Sequence, residues 1–493
     1  MREGEMGVGR TSLLLVPVAL ASRGAAFLVP LAVAAWFGIG AVTDAWFWAL
    51  AFPTFALVLA GTALGTTATP PMAEIRETAP ERLPKFIGGL MVWSALFALS
   101  LGVLMCLLAP SYLDRFSSFN EDTADMAIIF LWELVPFAVL TASGAVLRAG
   151  CEVGGRFYGV AATPVIRAAV VLAVTWLALV PIGPHALALG LVVGELVQFL
   201  WWAWLLAQTG VRPTPTFTID PAVRQVGRDL APILGGEMLV ALNLIVDKGF
   251  AAMLTEGSVS TLEYADRARV IPQTLLQSSL AMVAFAAWSN LRAQGDLERA
   301  RGAVDQALRW TLALSTPVLA GMFIGRFVLT ELMFQRGAFT PEDTLATASV
   351  LGWYLPGILP NLLGILAVRA HIVERNLTII FWLGVVSVMC NGALNALLMT
   401  SMGLEGLALS TTLNMLVVPA LYLIALKPYV RPDVRGWLLA GGFSAVGIAT
   451  AVIVEVVFGA PTELLDPVLW GAAVICFTLL GLGWRVTSRP QSS

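Results

Sequence analysis

The sequence predicts an all-α polytopic membrane protein of about fourteen transmembrane helices, with two pseudo-symmetric six-helix lobes followed by two C-terminal helices. Composition is the first observation: of 493 residues, 58% are hydrophobic and only 12% are charged, about half the charged fraction of a soluble globular chain. The second is that apolar stretches long enough to cross a hydrocarbon core roughly 30 Å thick recur from Leu13 to Trp484. The third is an internal repeat of the chain.

The apolar stretches predict the spans in order, each ending where charged or turn-forming residues interrupt the hydrophobic run. The predicted spans are 11–35, 44–68, 86–109, 124–148, 159–181, 185–208, 229–254, 262–288, 305–327, 345–370, 377–400, 404–426, 436–458 and 466–485.

Basic residues set the predicted orientation. Of the 29 lysines and arginines, the outer loops hold only Arg115, Arg326 and Arg336, whereas the opposite ends and loops collect most of the others. Positive charge is retained on the cytoplasmic side of a bilayer. The bias predicts a multi-pass protein of the bacterial inner membrane with both termini in the cytoplasm.

Identical residues recur at a nearly constant separation of about 220 positions, the spacing of a long internal repeat. Phe119 matches Phe339, Pro136 matches Pro356 and Gly144 matches Gly364. Each unit holds six helices, so both halves enter the membrane in the same direction. The predicted divisions are a lobe at 1–209, a cytoplasmic linker at 210–225, a lobe at 226–430 and two further helices at 431–493.

Unusual charge gathers in the first two helices of each half, where corresponding helices of such repeats meet at a cavity. Intramembrane charge is costly and marks functional sites by default. Arginine presents a planar fork of donors suited to phosphate, so Arg23 and Arg267 are predicted ligands for a diphosphate. The alternative is that these charges pair with one another, as in Asp266 with Arg269 or Arg23 with Glu237, and only fix the helix packing. The predicted binding set is Ser22, Arg23, Asp44, Lys248, Asp266, Arg267 and Arg269.

A second group of residues is mainly uncharged. Asn391 and Asn395 are four residues apart and share one helix face, and Thr411 lies just inside the next span. With the carboxylate of Asp247 they supply hard oxygen ligands of the kind that Na⁺ prefers. The alternative is interhelical hydrogen bonding, the commoner use of Asn and Thr in membranes. No other cofactor and no nucleic-acid partner is predicted.

Three runs resemble one family: ALASRGAAFLVPLAVAAWFGIGAVTDAWF at 19–47, EGSVSTLEYADRARVIP at 256–272 and FQRGAFTPEDT at 334–344. They are similar to the MurJ or MviN lipid II flippases of the multidrug/oligosaccharidyl-lipid/polysaccharide exporter superfamily. The resemblance implies alternating access, an undecaprenyl-linked peptidoglycan precursor in a cationic cavity, and a groove for the lipid tail beside the last two helices. It also implies membrane lipids and cell-wall synthesis enzymes as partners. By position, Ser22, Arg23, Asp44, Asp266 and Arg267 fall on cavity positions, and Asp247, Asn391, Asn395 and Thr411 on a proposed sodium site.

Three positions depart from the family pattern. Val29, Leu57 and Val270 stand where charged residues are usual, which leaves open another polyprenyl-linked glycan as substrate; Lys248 and Arg269 are candidates to compensate. The alternatives are a multidrug antiporter of the same superfamily, which needs an acidic or aromatic cavity, and a non-transporting membrane scaffold. A membrane glycosyltransferase or acyltransferase needs an in-membrane histidine or an acidic metal site, and the sequence indicates neither.

Overall fold

A computed structural model describes residues 8–54, 64–294, 296–374 and 376–426. Throughout these residues the regular structure is helical. The predicted spans 436–458 and 466–485, and with them the groove for the lipid tail, lie outside the described residues.

The helices of the first half follow one another with short connections. They are α1 Val8–Phe37, α2 Ala41–Ala51, α3 Leu64–Thr78, α4 Leu83–Phe116, α5 Glu121–Glu133, α6 Val135–Val153, α7 Phe157–Ile182, α8 Ala186–Ala207 and α9 Pro221–Ala251. Short 3₁₀ turns at Pro80–Arg82 and Gly183–His185 precede α4 and α8.

The second half continues with longer helices. They are α10 Ser258–Ala293, α11 Leu297–Ile324, α12 Arg326–Phe334, α13 Pro341–Val373 and α14 Leu377–Leu426. The helix α14 contains the predicted spans 377–400 and 404–426, which are separated by Gly403 in a left-handed conformation with φ 60°. The short helix α12 was not predicted, because it lies in a predicted outer loop.

The predicted span 124–148 is two helices in the structure. Leu134 separates α5 from α6, and Pro136 lies in the first turn of α6, where its missing N–H needs no partner. Five described stretches are long and apolar enough to cross a membrane: Pro80–Phe116, Glu121–Val153, Phe157–Ala207, Pro341–Val373 and Thr378–Leu426.

The chain forms two compact units, Met1–Val259 and Ser260–Ser493. This division falls after α9, whereas the repeat placed α9 in the second lobe. The reason is packing: α9 contacts α2, α3 and α4. A core of fully buried side chains, among them Met72, Phe86, Ile87, Leu147 and Leu206, joins α3, α4, α6 and α8. In the second unit, α13 packs along α14 and against α11 and α12.

Candidate functional site

The first predicted site residue in the described helices, Ser22, lies on α1 and is nearly buried. Its hydroxyl donates a hydrogen bond to the carbonyl of Ala161 on α7 at 2.7 Å. This bond fixes α1 against α7, so Ser22 has a structural contact of its own. Arg23 follows it on α1, and the Arg23 side chain lies outside the described part of the structure.

Asp44 lies in the first turn of α2 and is 1% exposed. Its Oδ2 accepts a hydrogen bond from the backbone N–H of Gly257 at 2.6 Å, and Oε1 of Glu256 accepts one from the N–H of Ala41 at 3.1 Å. A carboxylate near a helix N-terminus is also favoured by the helix dipole. The turn after α9 therefore holds the start of α2, and Gly257 suits this turn because its φ is +89°.

Lys248 is buried near the end of α9, at 4% exposure. Its Nζ donates to the backbone carbonyl of Phe47 on α2 at 2.8 Å and lies 5.8 Å from the centre of the Phe47 ring. A buried ammonium needs such partners, because desolvation would otherwise favour its neutral form. Within the first unit the structure thus brings Asp44 and Lys248 to the two ends of one α2–α9 contact.

In the second unit, the Tyr-Ala-Asp-Arg run begins at a buried aromatic cluster. Tyr264 is fully buried and packs edge-on or tilted against Phe334 and Phe339, with ring centres 5.2 and 5.4 Å away. This packing fixes the rotation of α10. Asp266 and Arg267, two and three residues after Tyr264, are only partly buried.

Arg267 forms an ion pair within its own helix. Its Nε donates to Oε1 of Glu263 at 2.7 Å, and its Nη2 lies 2.7 Å from the same oxygen. The two side chains differ in burial: that of Glu263 is 3% exposed and that of Arg267 is 41% exposed. Glu263 is therefore the buried partner of the pair, while the Arg267 side chain keeps part of its surface exposed.

Arg269 is held more completely. Its Nε donates to Oδ1 of Asp266 at 2.9 Å, its Nη1 donates to Oε1 of Gln273 at 2.6 Å, and its guanidinium lies 5.5 Å from the centre of the Tyr354 ring on α13. The Arg269 side chain is only 9% exposed. The pairing of Asp266 with Arg269, foreseen as the packing alternative, is present in the structure.

These contacts change the charge expected at the start of α10. Two arginines are matched by two carboxylates, Glu263 and Asp266, so this part of the second unit is electrically balanced before any ligand binds. Glu263 is not in the predicted binding set. The available signal was its spacing, four residues before Arg267 on one helix face.

The predicted sodium ligands divide between the units. Asp247 lies in the first unit and is 9% exposed; Asn391 and Asn395, in the second, are 1% and 0% exposed and lie one turn apart on α14. The hydroxyl of Thr411 donates to the carbonyl of Leu407 at 3.2 Å. The amide and hydroxyl oxygens of these residues are of the ligand type that hard cations prefer.

A further intramembrane ion pair lies in the first unit. Nε of Arg167 on α7 is 2.9 Å from Oε2 of Glu195 on α8, with side-chain exposures of 27% and 2%. Gln198 donates to the other oxygen of Glu195 at 3.1 Å, and Arg167 lies over the Phe137 ring. Arg167 therefore pairs with an acid in the middle of the next helix.

Comparison with known proteins identifies the family of the chain. The family model described as lipid II flippase MurJ matches residues 33–466. The chain belongs to this family. The resemblance found in the sequence runs is thereby confirmed.

Relatives and solved structures agree with this membership. A probable lipid II flippase MurJ of Bdellovibrio bacteriovorus is 30% identical over 250 residues, which are 50% of this chain and 48% of that relative. One of Vibrio cholerae is 27% identical over 365 residues, which are 72% of this chain and 66% of that relative. The matched region thus spans between about half and two thirds of these relatives' own length.

Solved structures show the same fold. A lipid II flippase MurJ in an inward closed conformation superposes with a TM-score of 0.79 at 20% identity, covering 97% of this chain and 98% of its own. An inward-facing multidrug resistance MATE family transporter of the MOP superfamily gives 0.64 at 14% identity, covering 86% and 99%. The predicted all-α transporter fold is confirmed.

Proposed function

We propose that the chain is a flippase that moves lipid II, the undecaprenyl-diphosphate-linked peptidoglycan precursor, or a related lipid-linked oligosaccharide from the cytoplasmic to the outer leaflet. It works as a secondary transporter with alternating access. Membership of the MurJ family supports the proposal, and the relatives, which are described as probable lipid II flippases, fit it. The observation that carries it in this chain is the Arg267 side chain, which is 41% exposed and paired with a buried carboxylate.

The Glu263–Arg267 pair suits a ligand that must bind and then leave. Arginine has five N–H donors, and Glu263 engages the Nε and Nη2 edge of the fork. The Nη1 edge stays available to a phosphate, which forms charge-assisted bonds there. Because the arginine is already neutralised, the diphosphate binds more weakly than it would to an unpaired guanidinium, which favours its release on the far side.

The location and partners follow from the same proposal. The chain is multi-pass, and we assign it to the bacterial inner membrane with both termini in the cytoplasm, on the strength of the arginine distribution. Its substrate is lipid-linked and reaches it within the bilayer. Enzymes of cell-wall synthesis, which supply or consume that substrate, are the protein partners that fit.

The two alternatives predicted from the sequence fit less well. A multidrug antiporter that exports organic cations needs surplus acid or an aromatic surface, whereas the described start of α10 is balanced and offers an accessible cation. Placing charge inside a membrane is costly. A scaffold binds no ligand that would offset this cost, so it does not need an intramembrane ion pair with one partly exposed partner.

The test is lipid II flipping in proteoliposomes, with complementation of a flippase-depleted cell alongside it. Arg267→Ala and Arg23→Ala are expected to abolish flipping while the protein still inserts in the membrane. Arg299→Ala is the matched control, since this arginine is 80% exposed and contacts only a loop carboxylate, that of Asp296, at 3.4 Å.

Each other outcome has its own meaning. Wild-type flipping by Arg267→Ala contradicts the site. Activity on another polyprenyl-linked glycan, but none on lipid II, changes the substrate and keeps the mechanism. Export of organic cations without flipping establishes the antiporter, and complementation by a variant that transports nothing establishes the scaffold.

We also propose that Na⁺ couples to transport through Asp247, Asn391, Asn395 and Thr411. One carboxylate and neutral oxygens are the ligand chemistry that a small monovalent cation needs. A coupling ion shifts the inward and outward populations only by its difference in affinity for them. The expected signature is a Na⁺-specific gain in stability that disappears in the Asp247→Asn variant.

A further inference from the structure

The segment between α8 and α9, Val211–Asp220, lies as a non-helical strap along the first turns of α4. The N–H of Thr214 donates to the carbonyl of Pro84 at 3.0 Å. The carbonyl of Thr214 lies so close to Gly88 that a Cβ there would come within 2.0 Å of it, and Thr216 and Thr218 lie against Gly89. Two consecutive glycines of α4 thus form the seat of the strap.

The seat lies below the start of a membrane-spanning helix. The helix α4 begins at Leu83 and belongs to the apolar stretch Pro80–Phe116. Gly88 and Gly89 follow Leu83 by five and six residues, which corresponds to roughly 8–9 Å along the helix axis. The apolar run predicted to span the membrane begins at residue 86, so the seat and the strap on it lie at the level where head groups meet acyl chains, a layer that interfacial segments enter by about 5–10 Å.

Two large apolar side chains of the strap point away from the protein at that depth. Phe217 is 74% exposed and Ile219 is 49% exposed. The ends of the strap are anchored, because Val211 and Val223 pack on the core that α3, α4, α6 and α8 share. The exposure of Phe217 and Ile219 is therefore a property of a fixed segment and not of a loose one.

Exposed basic residues surround the two apolar side chains. Lys85 on α4, Arg212 on the strap, and Arg224 and Arg228 on α9 are exposed, and Arg82 is 53% exposed while it pairs with Asp220 at 2.9 Å. The acids of the same surface are Glu81, Asp220 and Asp229. Five basic residues against three acids leave a cationic surplus, which attracts anionic head groups.

We propose that the strap is a lipid-binding anchor, with Phe217 and Ile219 inserted among the acyl chains of the leaflet and the basic residues bound to anionic phospholipid head groups. The depth of the Gly88–Gly89 seat favours lipid over a protein partner, which would need Phe217 in water. This anchor is a binding site separate from the substrate site, and it holds the linker between the repeat halves at the membrane surface. Its assignment to the cytoplasmic leaflet rests on the proposed topology.

The test is photocrosslinking of the full chain in vesicles of phosphatidylethanolamine and phosphatidylglycerol. Benzoylphenylalanine replaces Phe217, to which it is close in shape, and adducts are identified by mass. Leu107, 64% exposed on the apolar stretch of α4, is the position expected to label lipid. Glu77, exposed among acids at the end of α3, is the position expected not to.

A phospholipid adduct at 217 comparable to that at 107, and absent at 77, supports the anchor. A position 217 that behaves like 77, or that crosslinks to a protein in intact cells, overturns it. The readout needs no transport, so a failure of the flippase proposal leaves it interpretable.

Two variants test the parts of the anchor separately. Gly88→Val should displace the strap and lower the adduct at 217 while leaving that at 107 unchanged. Lys85→Gln and Arg224→Gln should each lower the preference for phosphatidylglycerol by roughly five-fold, the size that a single basic residue contributes at an anionic surface. Equal adduct yields in purely zwitterionic vesicles would overturn the role of the basic residues.

Discussion

The ion pair of Glu263 and Arg267 makes a prediction in which the two partners are not equivalent. The Glu263 side chain is 3% exposed and the Arg267 side chain 41%. Arg267→Ala leaves a buried carboxylate without its cation, whereas Glu263→Gln leaves a guanidinium that solvent or lipid phosphate can reach. Loss of the arginine should therefore cost more stability than loss of the acid.

The magnitudes follow from burial. Removing one partner of a fully buried pair costs about 3–5 kcal/mol; because Arg267 is partly exposed, we expect about 2–3 kcal/mol for Arg267→Ala. Glu263→Gln keeps an acceptor oxygen beside the guanidinium, so about 1 kcal/mol is expected. The double variant has no buried charge left, and its stability should lie close to that of Glu263→Gln, with a coupling energy of about 2–3 kcal/mol.

The assay is denaturant unfolding in lipid–detergent micelles for the wild type, both single variants and the double variant, with flipping measured on the same preparations. We expect the double variant to regain stability and to remain unable to flip, because the phosphate ligand is still missing. Equal costs for the two single variants, or additive costs in the double variant, would refute the asymmetric pair. Recovery of flipping together with stability would refute Arg267 as a ligand and leave it a packing residue.

Three further predictions concern other parts of the chain. Cysteines at positions 214 and 432 should react with a membrane-impermeant reagent only from the cytoplasm, and labelling from outside would reverse the topology. Thermal stability should rise in sodium chloride relative to potassium and choline chlorides at equal ionic strength, and equal curves, or a gain that survives Asp247→Asn, would remove the sodium site. Asp220→Ala should lower the stability by about 1 kcal/mol, because a helix N-cap is lost. The hydrogen bond from the Ala222 N–H and the neighbouring Arg82 hold the pKa of the Asp220 carboxyl below its ordinary value, so the contribution of the cap should be present at neutral pH and disappear as acid protonates the carboxyl. A cost of the substitution that is unchanged in acid would argue against a charged cap.

The fold was predictable because the length of an apolar run and the distribution of arginines are properties of whole helices. The predicted bounds of α7, α8 and α13 lie within four residues of those in the structure, because each of these helices is a single apolar run. The helix α4 extends seven residues beyond its predicted end. The break at Leu134 was missed, since a proline in the first turn of a helix and a proline inside one look the same in an apolar run. The linker ends five residues earlier than predicted, because Asp220 caps α9 and Pro221 begins it.

The candidate site was predictable in its residue types and in the pairing of Asp266 with Arg269, but not in the pairing of Arg267 with Glu263. Sequence identified Arg267, Arg269 and Asp266 as unusual intramembrane charge. Which acid neutralises which arginine depends on rotamers: Arg267 reaches back one turn to Glu263, and Arg269 reaches back to Asp266 and across to Tyr354. Asp44 has a further role that spacing does not reveal, since its partner Gly257 is 213 residues away.

The repeat of about 220 residues extends from sequence identity to local structure. Asn120 caps α5 by accepting from the Thr123 N–H, and Thr340, 220 residues later, caps α13 by accepting from the Asp343 N–H. Gly183 and Gly403, also 220 apart, both adopt left-handed conformations, with φ 58° and 60°, where two long helices turn. Such positions are set by backbone geometry, which explains why they persist in both halves.

Side-chain chemistry at equivalent positions has diverged. In the first unit, Arg167 and Glu195 form a buried ion pair between α7 and α8 at 2.9 Å. Close to the equivalent positions of the second unit, Ser387 and Asn414 form a neutral hydrogen bond at 3.0 Å within α14. A polar contact thus joins two membrane-spanning segments at this place in both halves, but only the contact in the first half is made by charged side chains. In the described residues of the second half the intramembrane ion pairs lie on α10 instead, so the two halves place charge on different helices of the same scaffold.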